Sequence, residues 1–375
     1  MEYREMKNLG IKTSLLGFGC MRFNGPAGGD YDREKAYAMI DRAYAAGVNY
    51  FDTAYVYMNG ESEKILGHAI TKYPRESYYV ATKLPFWGTD SVEKAKEIFE
   101  ESLARLGTGY IDFYLLHSMN GKSYDKFVED GIVDFCEGLK EEGKIRYLGF
   151  SFHDNYEAFK HIITSRKWDF CQIQYNYMDC DDQATTKGLE LAESLGVPVI
   201  IMEPIKGGTL AALPAEAEAP LRAIDGSATD SSWALRWVAS HSGVKVILSG
   251  MNEPEQLTDN LETLGNFKPL TEAEFAAVDE AKRIILSRVR NGCTGCRYCM
   301  PCPQGVDIPR VFSMWNQYAR YERPDSAHHY VHMRPETKPD NCIECGLCET
   351  KCPQSINIRE DLQRAKAELE KVAGQ

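Results

Sequence analysis

Eight short apolar runs recur along roughly the first 250 residues, separated by stretches with apolar residues at helical spacing. The runs are SLLGFG, NYFDTA, SYYVATK, YIDFYLLH, IRYLGFS, FCQIQYN, VPVIIM and VKVILSG. The intervening stretches REKAYAMIDRAYAAG and SVEKAKEIFEESLARLG both end in Gly, which commonly terminates a helix. Strands that alternate with helices form a parallel sheet. Eight such units in about 250 residues predict an α/β protein with a closed (β/α)8 TIM barrel.

Three further segments flank or interrupt the predicted barrel. EYREMKNLGIKTS, at the start, predicts a hairpin across the bottom of the barrel. LPAEAEAPLRAIDGSATD lacks strand signals and predicts a loop after the seventh strand. TEAEFAAVDEAKRIILSRV predicts a capped helix that ends where a cysteine-rich segment begins. We therefore expect residues 1–287 to form the barrel and residues 288–375 a smaller domain with a C-terminal helix.

Composition and charge narrow the class of protein. The chain is 43% hydrophobic and 26% charged, as soluble globular proteins are. Its net charge of -12 disfavours binding to nucleic acid or anionic membranes. The N-terminus lacks an apolar signal core, and no run approaches 18 apolar residues. We expect a cytoplasmic protein, in which clustered cysteines more often bind metal or perform redox chemistry than form disulfides.

Polar residues follow several of the predicted strands, at the end of a barrel where catalysis takes place. They are Asp52, Tyr57, Lys83, His117, Ser151, Gln172, Gln174 and Glu203. A tyrosine hydroxyl has a pKa of about 10, and an adjacent ammonium lowers that pKa. Singly, each residue has an ordinary structural interpretation as a cap, an ion pair or rim packing. Together they indicate a proton-transfer site in which Asp52 holds Lys83 and Tyr57 is the acid.

Four segments, FDTAYVYMNGESEKILG, ATKLP, FYLLHS and VILSGMNEPEQLTDNL, resemble the signatures of the aldo-keto reductase superfamily over about residues 1–285. The resemblance implies NAD(P)H-dependent reduction of a small-molecule aldehyde or ketone by hydride transfer. The positions that match the family's catalytic tetrad are Asp52, Tyr57, Lys83 and His117. It also implies coenzyme contacts at Gly19, Cys20, Met21, Asp52, Ser151, Gln172, Met202, Pro204, Gly250, Gln256 and Asn260.

The segment after the last strand bears on the choice between NADH and NADPH. Members that prefer NADPH place Lys and Arg there, whereas the matching positions here are Gly250 and Gln256. Glu253 and Glu255 add negative charge, and no Lys or Arg lies close by in the sequence. A 2′-phosphate needs cations or the N–H groups of a helix start. We therefore expect no strong selectivity for NADPH, and NADH is allowed.

Eight of the twelve cysteines form two groups near the C-terminus. The first cysteine group is Cys293, Cys296, Cys299 and Cys302, and the second is Cys342, Cys345, Cys348 and Cys352. The second matches the C-x2-C-x2-C-x3-C-P spacing of bacterial 4Fe–4S ferredoxins, and the first is one residue shorter before its last cysteine. Structural zinc sites usually separate two cysteine pairs by a dozen or more residues. Iron–sulfur clusters are thus favoured over zinc.

Residues 290–360 resemble a two-cluster bacterial-type ferredoxin domain, in which the fourth cysteine of each motif binds the other cluster. Carried over, one 4Fe–4S cluster is held by Cys293, Cys296, Cys299 and Cys352, and the second by Cys342, Cys345, Cys348 and Cys302. The insert VFSMWNQYARYERPDSAHHYVHM between the groups predicts an additional helix.

Three functions remain open at this point. The first is an aldo-keto reductase whose barrel carries accompanying clusters. In the second, the clusters exchange electrons with a redox partner protein, although nicotinamide moves two electrons and a cluster moves one. In the third, the protein is a non-enzymatic nicotinamide-binding sensor of redox state or oxygen.

Overall fold

A computed structural model of the protein describes residues 1–23 and 31–374. A two-stranded antiparallel hairpin precedes a closed barrel of eight parallel strands. The hairpin strands are β1 (Tyr3–Met6) and β2 (Ile11–Ser14). The barrel strands are β3 (Leu16–Gly19), β4 (Tyr50–Asp52), β5 (Tyr79–Pro85), β6 (Ile111–Met119), β7 (Ile145–Phe152), β8 (Phe170–Gln174), β9 (Val199–Met202) and β10 (Val244–Ser249).

The helices follow the strands as the apolar periodicity predicts. They are α1 (Arg33–Ala45), α2 (Glu61–Ile70), α3 (Val92–Leu106), α4 (Gly121–Glu129), α5 (Ile132–Glu141), α6 (Tyr156–Ser165), α7 (Thr185–Ser194), α8 (Ala215–Ile224), α9 (Asp230–Ala239), α10 (Pro254–Gly265), α11 (Glu272–Ser287), α12 (Ile308–Tyr321), α13 (Asp325–Val331), α14 (Leu347–Thr350) and α15 (Ile358–Ala373). Side chains cap several starts: Asp32 accepts from Lys35 N, and Ser91 accepts from Lys94 N.

The strand order confirms the predicted barrel, because β10 pairs with β3 and closes the sheet. The predicted hairpin is confirmed as well, with Tyr3 opposite Ser14. Met6 at the end of β1 packs with Tyr50 and Phe113, which lie in the barrel strands. The hairpin therefore covers the N-terminal end of the barrel and leaves the carboxyl ends of the strands as the place for chemistry.

One prediction about the connections was wrong. The segment expected to be a loop after the seventh strand contains α8, whose buried residues are Ala217 and Leu221. The sequence AEAEAPLRAI is rich in Ala and Glu, which are strong helix formers. The segment lacks strand signals, as predicted, but a lack of strand signals does not exclude a helix.

The described chain divides into two compact units, which are Met1–Gly207 with Ser231–Phe275, and Gly208–Asp230 with Ala276–Gln375. The first contains the barrel. The core of the second includes Phe312, Trp315 and Leu362. The predicted helix in the insert between the cysteine groups is confirmed as α12, and α13 follows it. The domain boundary at residues 287 and 288 stays a prediction.

Among residues 1–23 and 31–374, the helices are all too short or too polar to span a membrane.

Candidate active site and cysteine module

Neighbouring strands bring the four predicted catalytic residues to one end of the barrel. Asp52 is the last residue of β4, and its partner in β5 is Ala81. Lys83 lies two residues further along β5, on the same face of the strand, because strand side chains alternate. His117 lies near the end of β6, opposite Pro85. Because the parallel strands lie side by side, these residues form one cluster although they are far apart in sequence.

The Lys83 ammonium is at the centre of this cluster. Its Nζ donates to Asp52 Oδ1 at 2.5 Å and to the carbonyl oxygen of Thr53 at 2.7 Å. The Lys83 side chain has no exposed surface. Nζ lies 4.8 Å from the ring centroid of Tyr57, and the Tyr57 and His117 rings meet edge to face at 5.8 Å. The structure brings all four residues together.

The pKa of Tyr57 departs from expectation. The sequence predicted a pKa below the ordinary value, because Lys83 lies beside the phenol. Instead, burial raises the pKa of Tyr57, and the opposing effect of Lys83 is smaller. The sequence identified the neighbour but not the extent of burial. Tyr57 therefore keeps its proton throughout the neutral range.

Asp52 and Lys83 form a buried ion pair. Burial acts to lower the pKa of Lys83, but the negative charge of Asp52 and the Tyr57 phenol outweigh it, and the pKa is raised. Burial raises the pKa of Asp52, and Lys83 partly opposes that shift. The geometry thus favours a permanent ammonium beside the phenol.

His117 is neutral in this environment. Burial, and then the positive charge of Lys83, lower its pKa to about 2. Its Nδ1 is buried and has no hydrogen-bond partner within the described part of the chain. The ring of Trp87 lies 5.2 Å from the imidazole. A neutral imidazole beside a phenol can bind a carbonyl oxygen without competing for the proton.

Ser151 and Gln172 are paired residues of β7 and β8, the two strands that follow β6 around the barrel. Ser151 Oγ accepts from Ser118 N at 2.7 Å. Gln172 Oε1 is buried and finds no donor among residues 1–23 and 31–374. An orphaned buried oxygen is costly, and a carboxamide N–H would satisfy it. The two residues therefore fit a nicotinamide amide.

Other predicted coenzyme residues line the first and seventh barrel strands. A Cβ at Gly19 would lie 3.2 Å from the carbonyl oxygen of Ser249, so β3 and β10 approach closely there. Cys20 is fully buried and its N–H donates to Asp52 O, whereas Met21 is 42% exposed. Met202 is half-buried and Pro204 is buried.

The remaining predicted coenzyme residues surround α10. Asn260 Nδ2 donates to Ser249 Oγ at 2.8 Å and is thereby fixed against β10. Gln256 Oε1 accepts from the backbone N–H of Asn252 and of Glu253, so it closes the start of the helix. Gly250 is exposed.

Cations that the sequence did not indicate lie beside α10. Lys35, in α1, donates to Glu253 at 2.5 Å. Arg42, also in α1, donates to Pro254 O and to Thr258 Oγ1. No Lys or Arg lies close to this segment in the sequence, but these two lie beside it in space, because residues more than 200 positions apart in sequence meet here. Both cations already have acceptors.

The eight clustered cysteines line two cavities in the second compact unit. One, here the Cys352 cavity, measures about 330 Å³ and is lined by Cys293, Cys296, Cys299 and Cys352. The other, the Cys302 cavity, measures about 530 Å³ and is lined by Cys299, Cys302, Cys342, Cys345 and Cys348. Each cavity is lined by cysteines of both groups: Cys352 lies with the first three of the first group, and Cys302 lies with the first three of the second.

The two cysteine groups also share a backbone conformation. The second residue after the first cysteine has positive φ in both groups, at Gly295 (70°) and Glu344 (55°). So does the fourth, at Arg297 (65°) and Gly346 (75°). Two loops of matching shape, rich in thiols, are what a pair of similar cubane clusters requires. Thiolates are ligands of the softness that iron–sulfur clusters prefer.

Comparisons with known proteins agree with this geometry. Residues 15–283 match the model of the aldo/keto reductase family, and residues 292–357 match that of a 4Fe-4S dicluster domain. The L-galactose dehydrogenase of Arabidopsis thaliana is 28% identical over 315 residues, covering 78% of this chain and 96% of the relative. The NADH-specific methylglyoxal reductase of Escherichia coli (strain K12) is 29% identical over 299 residues, covering 68% and 90%.

Solved structures give the same assignment. The holo form of an aldo-keto reductase from Bacillus halodurans superposes with a TM-score of 0.62 at 27% identity, covering 75% of this chain and 96% of the other. The family match spans well over half of the chain. The chain therefore belongs to the aldo/keto reductase family of oxidoreductases and carries a 4Fe-4S dicluster domain C-terminal to the reductase sequence.

Proposed function

We propose that the protein reduces an aldehyde or ketone with NAD(P)H, and that Tyr57 donates the proton to the carbonyl oxygen. The observation that carries this proposal is the buried Lys83–Asp52 pair beside the Tyr57 phenol. When bound, the coenzyme supplies a hydride to the carbonyl carbon. Together, hydride and proton convert the carbonyl to an alcohol.

Each side chain of the tetrad has a separate task in this reaction. Tyr57 holds its proton in the neutral range and releases it as negative charge develops on the carbonyl oxygen. The Lys83 ammonium stabilises the phenolate that remains, and Asp52 holds Lys83 in place. His117, being neutral, binds and orients the same oxygen.

Ser151 and Gln172 would hold the nicotinamide amide, and Asn260 and the start of α10 the adenosine end. We propose that NADH serves at least as well as NADPH. Glu253 is the N-cap of α10, so its carboxylate already occupies the helix N-terminus, and Lys35 is paired with it. A 2′-phosphate would have to displace that carboxylate.

Tyr57→Phe tests the assigned acid. Because general acid catalysis contributes about 10²–10⁴-fold, turnover of a carbonyl panel should fall by that factor, whereas coenzyme binding, followed by fluorescence, should persist. Tyr114→Phe is the matched control, since Tyr114 is a buried tyrosine that lies outside the site. Unchanged turnover in Tyr57→Phe would exclude the assignment.

We further propose that the Cys352 cavity and the Cys302 cavity each hold one 4Fe–4S cluster. Cys352→Ser and Cys302→Ser each remove one ligand from a different cavity, so each should lower iron from about eight to about four per chain. Cys180→Ser, outside both groups, should leave the iron content unchanged. Loss of the same cluster in both variants would contradict the crossed ligand sets.

A second candidate function, electron transfer to a partner protein, is favoured by the adjacency of the cavities. Cys299 and Ile308 line both, so two clusters would be neighbours. Cys296 and Cys345 are exposed, one at each cavity. Under this candidate, NADH added anaerobically should reduce the clusters, as seen by electron paramagnetic resonance, with help from a two-electron to one-electron converter such as a flavin. Clusters that stay oxidised with every such addition would exclude it.

A further inference from the structure

The segment that carries Tyr57 has an unusual backbone. Between β4 and α2, three successive residues adopt positive φ, namely Met58 (53°), Asn59 (56°) and Gly60 (87°). Residues other than Gly rarely adopt this region, and each costs about 1–3 kcal/mol unless its surroundings hold it. Something outside the segment must therefore fix this conformation.

Arg105, near the end of α3, lies against both ends of the segment. Its Nη1 donates to the carbonyl oxygen of Tyr55 at 2.9 Å, and its Cζ lies 4.3 Å from the centroid of the Tyr55 ring. A Cβ added at Gly60 would lie only 2.7 Å from Cζ of Arg105. The guanidinium therefore lies directly against Gly60, and a side chain at this position would have to displace it.

Glu63 links this guanidinium to the strand that carries Lys83. Its Oε2 accepts from Arg105 Nη1 at 3.1 Å, and its Oε1 accepts from Thr82 Oγ1 at 2.6 Å. The Glu63 side chain has no exposed surface. Thr82 precedes Lys83 in β5, so one chain of contacts runs from the Tyr57 segment to the residue next to the catalytic ammonium.

Glu101 is the second carboxylate that binds the Arg105 guanidinium. It accepts from Arg105 Nη2 at 2.6 Å and from the Tyr55 hydroxyl at 2.7 Å. The planar guanidinium is thus held by two carboxylates and a carbonyl oxygen, a fixed geometry that a lysine could reproduce only in part. Neither Arg105 nor Glu63 belongs to the predicted tetrad or to the predicted coenzyme contacts.

We propose that Arg105 and Glu63 are positioning residues that fix the backbone of residues 55–60, so that the Tyr57 phenol stays beside Lys83. The proposal rests on the proposed function of Tyr57 as the proton donor. A buried ion pair is a weak source of stability by itself. Arg105 contacts the Tyr57 segment and Glu63 contacts β5, so this pair can hold the two elements in a fixed relative position.

Arg105→Met tests this role. A misplacement of about 1 Å can cost about 10²-fold in rate, so kcat should fall about 10- to 100-fold, while KM for the coenzyme changes less than about threefold. The solvent isotope effect on single-turnover reduction should rise, because proton donation from a displaced phenol becomes limiting. Arg105→Lys should recover part of the rate, and Glu63→Gln should lower kcat in the same direction as Arg105→Met.

Arg75→Met is the matched control, since Arg75 also pairs with a fully buried carboxylate, Asp112, and stacks on a tyrosine ring. It should lower thermal stability comparably without changing kcat or the isotope effect. If Arg105→Met behaves as Arg75→Met does, the proposal is overturned. A crystal structure of Arg105→Met separates this failure from that of the proposed function. Retention of all three positive φ values in residues 58–60 would overturn the positioning role whichever residue is the acid.

Discussion

Lys83, at the barrel mouth, is hydrogen-bonded to other groups of the chain. The clustered cysteines, in contrast, line open cavities. The Lys83 side chain has no exposed surface, while Cys296 and Cys345 are exposed and the other six clustered cysteines are half-buried. The barrel site is thus preorganised before any ligand arrives, as catalysis requires. The cysteine loops instead enclose open cavities, which a bound metal cluster would fill.

The apolar core of the second unit contacts several of the clustered cysteines. Cys293, Cys299 and Cys348 pack against its buried apolar residues. Burial raises the pKa of all three thiols. Binding of iron requires their deprotonated forms, so metal binding and folding of these loops are coupled. The same coupling has no counterpart in the barrel.

Lys83→Met should produce the largest effect. The change leaves Asp52 buried without its cation, which costs about 3–5 kcal/mol, and removes the charge beside Tyr57. We expect turnover to fall at least about 10³-fold together with thermal stability. The Asp52→Leu/Lys83→Met double variant should regain stability but not turnover. If turnover returned in the double variant, a preorganised ion pair would not be the basis of the barrel site.

Removal of iron should affect the cysteine loops and the barrel site to different extents. In cluster-free protein, proteolysis within residues 293–357 should become at least about tenfold faster, because the loops lose the ligand that orders them. Carbonyl reduction should change by less than about threefold, since the tetrad is fixed by its own contacts. The measurements are limited proteolysis and single-turnover reduction on the same sample. Loss of both properties together would show that the regions are not independent.

Glycine substitutions in the two regions should differ in their effects, but by less than removal of iron does. At Gly60→Ala a Cβ would meet Arg105 at 2.7 Å, so turnover should fall about tenfold. At Gly295, in the first cysteine group, a Cβ meets nothing within 4 Å, so Gly295→Ala should cost only about 1 kcal/mol of backbone strain. Iron content should stay unchanged. Gly88→Ala, in the barrel unit but open to space, is the control for positive φ alone.

The smallest expected effect is that of pH on the chemical step. The pKa of His117 is lowered to about 2, and that of Tyr57 is raised above its ordinary value. Down to pH 6 the imidazole stays neutral, and up to pH 9 the phenol stays protonated. Single-turnover reduction should therefore vary less than about twofold between pH 6 and pH 9. A change in the single-turnover rate within this pH range that disappears in His117→Gln would show that His117 titrates.

The sequence predicts those parts of the molecule that depend on local pattern. The eight apolar runs identify the barrel strands, and the strand ends bring Asp52, Lys83 and His117 together because parallel strands end at one edge. Cysteine spacing alone left the ligand sets open, and the resemblance to ferredoxins supplied the crossed sets, which stay a prediction.

What the sequence missed depends on tertiary contacts. Lys35 meets Glu253 because α1 and α10 are neighbours only once the barrel has closed. Arg105 lies in an amphipathic helix, where its sequence context resembles that of any exposed cation. The raised pKa of Tyr57 depends on burial, which its neighbours in sequence do not reveal.

The pairing of β3 with β10 has a consequence for synthesis on the ribosome. Chains fold from the N-terminus as they emerge, and the last barrel strand ends at Ser249, before any clustered cysteine. The barrel can therefore close while residues 293–352 are still being made. Residues 208–230 must wait for the later part of the second unit. The cysteines of both groups therefore become available only after all eight barrel strands have been made.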